Sequence, residues 1–245
     1  MNKNKEGNDR LPEVPGLFQH YKDWGIISGD EVDGGFVPTF KGGVVFDSRD
    51  NRPNPMKGVW TEAVVEASPE ILGAESSFAK LALIHRQYFT LVPRNLSLVY
   101  RLAYQTTLAG DVPFYYQSQV ITSILTGALS EGLGGSKTLR GVLRNRVVGD
   151  GFFYGNVEAR WKFVRFNFIK NNFYLGLNAF ADFGRVTKKI DFTMPANFGS
   201  SQKTDFFKSE AEKLHTSVGA GLRIVMNENF VIAVDYGRAL NKQDG

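Results

Sequence analysis

Asn156-Val157-Glu158-Ala159-Arg160-Trp161-Lys162-Phe163 is the stretch that decides the architecture of this chain. Polar and apolar residues alternate without a break: Asn156, Glu158, Arg160 and Lys162 fall on one side, Val157, Ala159, Trp161 and Phe163 on the other. A period of two belongs to an extended strand, whose successive side chains point to opposite faces. The same sorting recurs downstream. Leu175, Leu177, Ala179, Ala181 and Phe183 oppose Gly176, Asn178, Phe180, Asp182 and Gly184. Thr216, Val218, Ala220, Leu222 and Ile224 oppose Ser217, Gly219, Gly221 and Arg223, and Phe230, Ile232, Val234 and Tyr236 oppose Asp235.

Followed outward from Gly42, this period gives eight strands, at 42–48, 58–67, 77–91, 96–107, 152–166, 173–186, 215–226 and 230–239. Their connections differ in length. Arg49 to Lys57, Pro93-Arg94-Asn95, Asn167 to Asn172 and Asn227-Glu228-Asn229 are compact turns, whereas 108–151 and 187–214 are long loops. Short turns on one side and long loops on the other mark an up-and-down barrel of the outer-membrane kind. A soluble immunoglobulin-like sandwich, the rival fold, has Greek-key connections and shorter strands. Lysine or arginine at mid-bilayer costs roughly 2–4 kcal/mol, so the charge-free rows face lipid and the polar rows face a wet lumen. Trp161, Phe163, Phe173, Phe183, Phe230 and Tyr236, near strand ends, suit an interfacial girdle. The expected fold is all-β: an antiparallel up-and-down transmembrane β-barrel.

The totals agree and exclude alternatives. At 245 residues with 42% hydrophobic residues, no run approaches the roughly eighteen apolar residues of a spanning helix. The net charge of +4 is scattered along the chain, so no nucleic-acid partner is expected. With no cysteine, disulfides and thiolate metal sites are out. Residues 1–16 lack the apolar core of a signal peptide, and 1–41 read as an irregular lead-in with an aromatic cluster at Phe18, Tyr21 and Trp24. Residues 42–245 read as a barrel domain incomplete at both ends.

Chemistry concentrates around one loop. Leu139-Arg140-Gly141 precedes two strands that each carry an acid on the polar face, Glu158 and Asp182. Two readings stand side by side: a tucked-in loop locked by charge, or unrelated solvated charges of a polar lumen. Asp47, Arg49, Asp50 and Asn51 form a turn rather than a cation site, since Asn and Asp side chains satisfy turn backbone donors. Gly219 and Gly221 sit within a strand with no helix following, which argues against a phosphate loop and for room left to a neighbouring loop or a bend. His20, His85 and His215 lack metal-ligand spacing. Ser217 lies next-but-one to His215 with no orienting carboxylate evident, so no catalytic activity and no cofactor are expected.

Gly43-Val44-Val45-Phe46-Asp47-Ser48-Arg49-Asp50-Asn51, with Pro55 and Gly58 after it, resembles the strand–turn–strand motif in the C-terminal barrel of the BamA/TamA family of bacterial surface antigens. Leu139-Arg140-Gly141-Val142 is similar to that family's loop motif, with Val142 where the family usually has an aromatic. Gly155 to Arg160, Phe180 to Gly184 and Gly219 to Arg223 resemble its later strands in order, so the likeness covers about 42–240. The resemblance implies a barrel of sixteen strands, of which these eight would be the eighth to fifteenth, following periplasmic POTRA domains. It implies an outer-membrane location among lipids, with unfolded or translocating client proteins as partners. It also implies that 108–151 folds into the lumen, with Arg140 bonded to Glu158 and Asp182 and Gly141 allowing the tight turn. A passive porin-like channel is the alternative function.

Overall fold

The structure is a computed structural model that describes residues 16–25, 27, 29–191 and 212–245. Eight long strands form one antiparallel sheet: β1 (Phe40–Asp47), β2 (Gly58–Ser68), β3 (Phe78–Val92), β4 (Leu96–Gly110), β7 (Gly151–Phe168), β8 (Asn171–Lys188), β9 (His215–Met226) and β10 (Phe230–Ala239). Between β4 and β7, the short strands β5 (Gln119–Val120) and β6 (Leu129–Ser130) pair as a separate two-stranded ribbon. In the large sheet every strand neighbours its predecessor, in the order β1-β2-β3-β4-β7-β8-β9-β10. This is the up-and-down meander expected from the alternating pattern. β1 and β10 form the two edges and do not pair with each other, so the described strands make an open, partial barrel wall. No described helix is long and apolar enough to cross a membrane.

The strands are longer than the alternation alone marked. β4 runs on to Gly110 and β8 to Lys188, each past a register shift that skips one residue, Leu108 or Thr187, and so breaks the alternation while pairing continues. Left-handed residues close the tight turns: Arg94 between β3 and β4, Ile169 and Lys170 between β7 and β8, and Asn227 and Glu228 between β9 and β10. A bulge in β7 leaves Phe163 without a partner between Lys162 and Val164. The Trp161 and Phe163 rings, both exposed, meet at a tilt of 49° with centroids 5.6 Å apart.

Burial along the strands is inverted relative to a soluble sandwich. Val157, Trp161, Leu177, Val218, Leu222, Ile232 and Val234 lie exposed on one face, while Glu158, Lys162, Asn178, Asp182 and Ser217 are buried on the other. The cover over the polar face is the segment between β4 and β7. It supplies Val120, Leu133, Leu139, Val142 and Val147 to an apolar cluster completed by Ile84, Ala103, Phe152, Tyr154 and Val186 of the sheet. Each such aliphatic side chain contributes roughly 1.5–3 kcal/mol on burial.

Residues 36–190 and 211–245 form one compact unit containing the whole sheet. The described residues of 1–35 belong to a second unit. There, within the segment read as an irregular lead-in, a short helix α1 (Leu17–Asp23) carries Phe18 and Tyr21 three residues apart, with Trp24 as its C-cap.

Polar bonds fasten the covering segment along its length. Tyr116 Oη donates to Glu66 Oε1 at 2.8 Å, Gln105 of β4 bonds to both Gln119 and Ile121, and Glu62 Oε2 accepts from Ser123 Oγ and the Ile124 backbone N–H. Burial, then the bond to the Glu66 carboxylate, hold the Tyr116 phenol well above its ordinary pKa. The folded chain therefore keeps this proton more tightly than an unfolded chain does, and the bond stabilises fully below pH of about 10. Tyr116→Phe should cost about 1.5 kcal/mol at neutral pH. The gap between variant and wild type should close as the pH rises beyond about 10. Melting curves of the two proteins in detergent across neutral and alkaline buffers check this, and a gap independent of pH would refute it.

Candidate functional site: an arginine held across three strands

Arg140 is where the covering segment meets the greatest concentration of charge on the sheet. Leu139, fully buried, and Val142, 4% exposed, anchor the segment on either side in the apolar cluster. Thr138 tightens the approach: its hydroxyl bonds to both the N–H and the carbonyl of Gly134, and its own carbonyl accepts from Asn156 Nδ2 at 2.7 Å. The backbone therefore enters the wall at a fixed place, and Arg140 has little conformational freedom left to lose.

Its guanidinium grips Asp182 in a fork, Nε to Oδ2 and Nη2 to Oδ1, both at 2.9 Å, and the Arg140 backbone N–H adds a third bond to Oδ2 at 3.0 Å. Nη1 donates to Glu158 Oε2 at 2.9 Å and reaches Asp235 Oδ2 at 3.3 Å. Beneath it lies the ring of Phe180, whose centroid is 3.5 Å from the guanidinium carbon. Bidentate pairing to carboxylate with an aromatic floor uses the planarity that distinguishes arginine from lysine. Burial acts against protonation of Arg140, but the Asp182 carboxylate and then Glu158 outweigh it, so its pKa is raised and the charge is permanent.

Strand register explains why these groups converge. Asn156 of β7 pairs with Asp182 of β8, which pairs with Ser217 of β9; one row along, Glu158 pairs with Phe180, which pairs with Gly219. Asp235 enters from β10 opposite Gly221. Side chains at Gly219 and Gly221 would occupy the space of the Phe180 ring and of the Asp235 carboxylate respectively. These two glycines therefore leave room for the floor and one wall of the arginine site. Arg160 and Arg223 complete the cluster: Arg160 Nε donates to Glu158 at 2.9 Å, and Arg223 forks onto Asp235 at 2.6 and 3.0 Å. Three arginines face three acids, and the cluster is neutral.

Gly141 follows with φ +88°, a left-handed conformation. Its backbone lies against Gly237 and Arg238 of β10. Of the residues singled out in the sequence, Arg140, Gly141, Glu158 and Asp182 are thus brought together. Phe180, Asp235 and Gly237 join them without having been singled out. Their signal was available only through register, since Asp235 lies 95 residues from Arg140.

The other sequence candidates lie elsewhere. Asp47 closes a fork with Arg49 (2.8 and 3.1 Å), whose guanidinium sits 4.2 Å over the Trp60 ring. Asp50 Oδ1 accepts the backbone N–H groups of Met56 and Lys57, and Asn51 Oδ1 that of Asn54. A Cβ on Gly58, at φ +106°, would collide with the backbone of Ser48 and Arg49. The run is thus a self-satisfied turn, and among the described residues no group of His, Asp and Glu side chains has the makings of a metal site. His215 does have an orienting carboxylate, Asp244 at 2.9 Å, which sequence spacing did not reveal because it lies 29 residues away. Its other nitrogen meets Glu212 at 3.2 Å, so both nitrogens are engaged by acids and neither serves Ser217.

The geometry is that of an outer-wall meander with a polar inner face, covered by a long segment whose arginine spans three strands. No curated protein matches the chain. A family model does, over residues 36–245, which takes in every strand of the sheet and the whole arginine site; it describes the Omp85 superfamily domain, a superfamily of outer-membrane proteins of the assembly and translocation type, and the chain belongs to it.

Proposed function

We propose that this chain serves as a non-enzymatic outer-membrane barrel wall of the BamA/TamA type, acting in insertion or translocation of proteins at the bacterial outer membrane. The long loop 108–151 acts as an inward plug, and Arg140 with Gly141, Glu158 and Asp182 is its structural lock. The observation that carries this reading is the arginine site itself. A loop that forks onto a buried acid and touches three strands braces those strands against one another, which suits a wall that handles client chains. The exposed apolar face would contact outer-membrane lipid. Unfolded or translocating client proteins would be the substrates, with periplasmic POTRA domains as the partners that deliver them. No cofactor enters this mechanism, which consists of binding and mechanical bracing.

Liposomes carrying the protein should convert an unfolded outer-membrane barrel client to its heat-modifiable folded form faster than empty liposomes do. Arg140→Ala liposomes should lose most of that gain. A passive porin-like channel predicts instead a large, steady ion conductance with no acceleration of client folding, and that result would overturn the proposal.

A further inference from the structure

Beside the neutral arginine cluster lies a cavity of about 530 Å3 whose charges do not balance. Arg86 of β3 and Arg101 of β4 line it and stand directly opposite each other in the register. Directly opposed side chains on one face have Cβ atoms about 4.5–5.5 Å apart, and like charges so placed repel. Neutral loop carbonyls hold both guanidinium groups in place: Arg86 Nη2 donates to Thr122 O at 2.7 Å, and Arg101 Nη2 to Lys137 O at 2.6 Å. Arg101 Nε donates to Asn156 Oδ1, again a neutral acceptor. Arg86 Nε is buried and has no partner.

The acids nearby are already committed. Glu158 and Asp235, which also line the cavity, are held by Arg140, Arg160 and Arg223. Glu62 is the counter-charge of Arg86 at 3.8 Å, and its oxygens also accept from Trp60 Nε1, Ser123 Oγ and the Ile124 backbone N–H. Lys137 adds a third cation to the lining and has no acid partner among the described residues. With Glu62 set against Arg86, Arg101 and Lys137 still face no acid of their own among the described residues, so the lining keeps an excess of positive charge that an anion from solution would balance.

We propose that this cavity is an oxyanion site that takes a phosphate group between Arg86, Arg101 and Lys137. Planar guanidinium forks match the oxygen spacing of a tetrahedral phosphate, and the bonds are charge-assisted. Tyr100 and the hydroxyl of Thr126 line the same space and can supply neutral donors for the remaining oxygens. The group belongs either to free phosphate or to a phosphorylated lipid headgroup; the binding chemistry is the same.

Titration calorimetry on the full chain in neutral detergent tests this, with inorganic phosphate in one arm and dihexanoyl phosphatidate in the other, at constant ionic strength set by chloride. Wild type should bind phosphate and gain in melting temperature. Arg86→Gln and Arg101→Gln should each bind roughly ten- to a hundredfold more weakly. Lys137→Gln, on an exposed loop position that leaves the wall intact, should bind severalfold more weakly and keeps the test valid if an arginine variant misfolds. Tighter binding of the phosphatidate arm would assign the site to a lipid headgroup, and equal or weaker binding to the free ion. No binding in either arm, or an equal melting shift in wild type and all three variants, would overturn the proposal.

Discussion

Arg140→Ala should lower the unfolding free energy by about 3–5 kcal/mol, the usual cost of removing one member of a buried ion pair. The loss falls unevenly on the three acids. Glu158 keeps Arg160, and Asp235 keeps Arg223. Asp182 keeps no cation: its side chain is fully buried and the Arg140 guanidinium is its sole ion-pair partner among the described residues. Neutralising it should therefore recover part of the loss, so Arg140→Ala/Asp182→Asn should be more stable than Arg140→Ala alone. Arg140→Lys should fall between alanine and wild type, because an ammonium cannot span Asp182 and Glu158 while lying flat on Phe180. In detergent the readout is the temperature at which the heat-modifiable folded band disappears, expected to drop by about 10 °C at the roughly 2–4 °C per kcal/mol of a chain this size. A drop of no more than a degree or two would mean that the three acids are solvated and the lock reading is wrong.

The difference between what the sequence disclosed and what it withheld follows from range. Alternation is a local property, so the eight long strands, their order and the polar face that carries Glu158 and Asp182 could all be read from windows of about ten residues. The short ribbon of β5 and β6 could not, because two-residue strands carry no period. Nor could α1 within the lead-in: seven residues are too few to show a helical period. The convergence on Arg140 divides the same way. Its pairing with Glu158 and Asp182 was open to inference, because both acids sit on the first two strands after the loop. Asp235 was not, since only the register β7-β8-β9-β10 carries it back to the site. The Arg86–Arg101 pair was likewise invisible, being unremarkable in each strand alone and informative only once the strands are aligned.

That same dependence on cross-strand packing makes Gly141→Ala the second large effect, about 2–4 kcal/mol. A left-handed backbone costs an alanine roughly 1–2 kcal/mol before any contact is counted. At Gly141 the contact is worse than the strain, because a Cβ would stand 2.5 Å from Gly237 C and Arg238 N, backbone atoms of β10 that cannot swing aside. The fit is reciprocal: a Cβ on Gly237 would stand 2.8 Å from Arg140 C. Two glycines back to back thus set how closely the loop approaches the last strand, and that approach sets how well Arg140 reaches Asp235 and Asp182. Pushing the loop outward loosens the arginine fork as well, so the two substitutions damage the same structure. Arg140→Ala/Gly141→Ala should then cost less than the sum of the singles, by more than the few tenths of a kcal/mol expected of independent sites. Gly127→Ala is the control: nothing lies within 4 Å of a Cβ there, and it should change stability by no more than about 0.5 kcal/mol. Melting of the four variants in detergent decides the matter. If Gly141→Ala behaves like Gly127→Ala, or if the double variant is strictly additive, the close approach of loop and strand does not position the arginine.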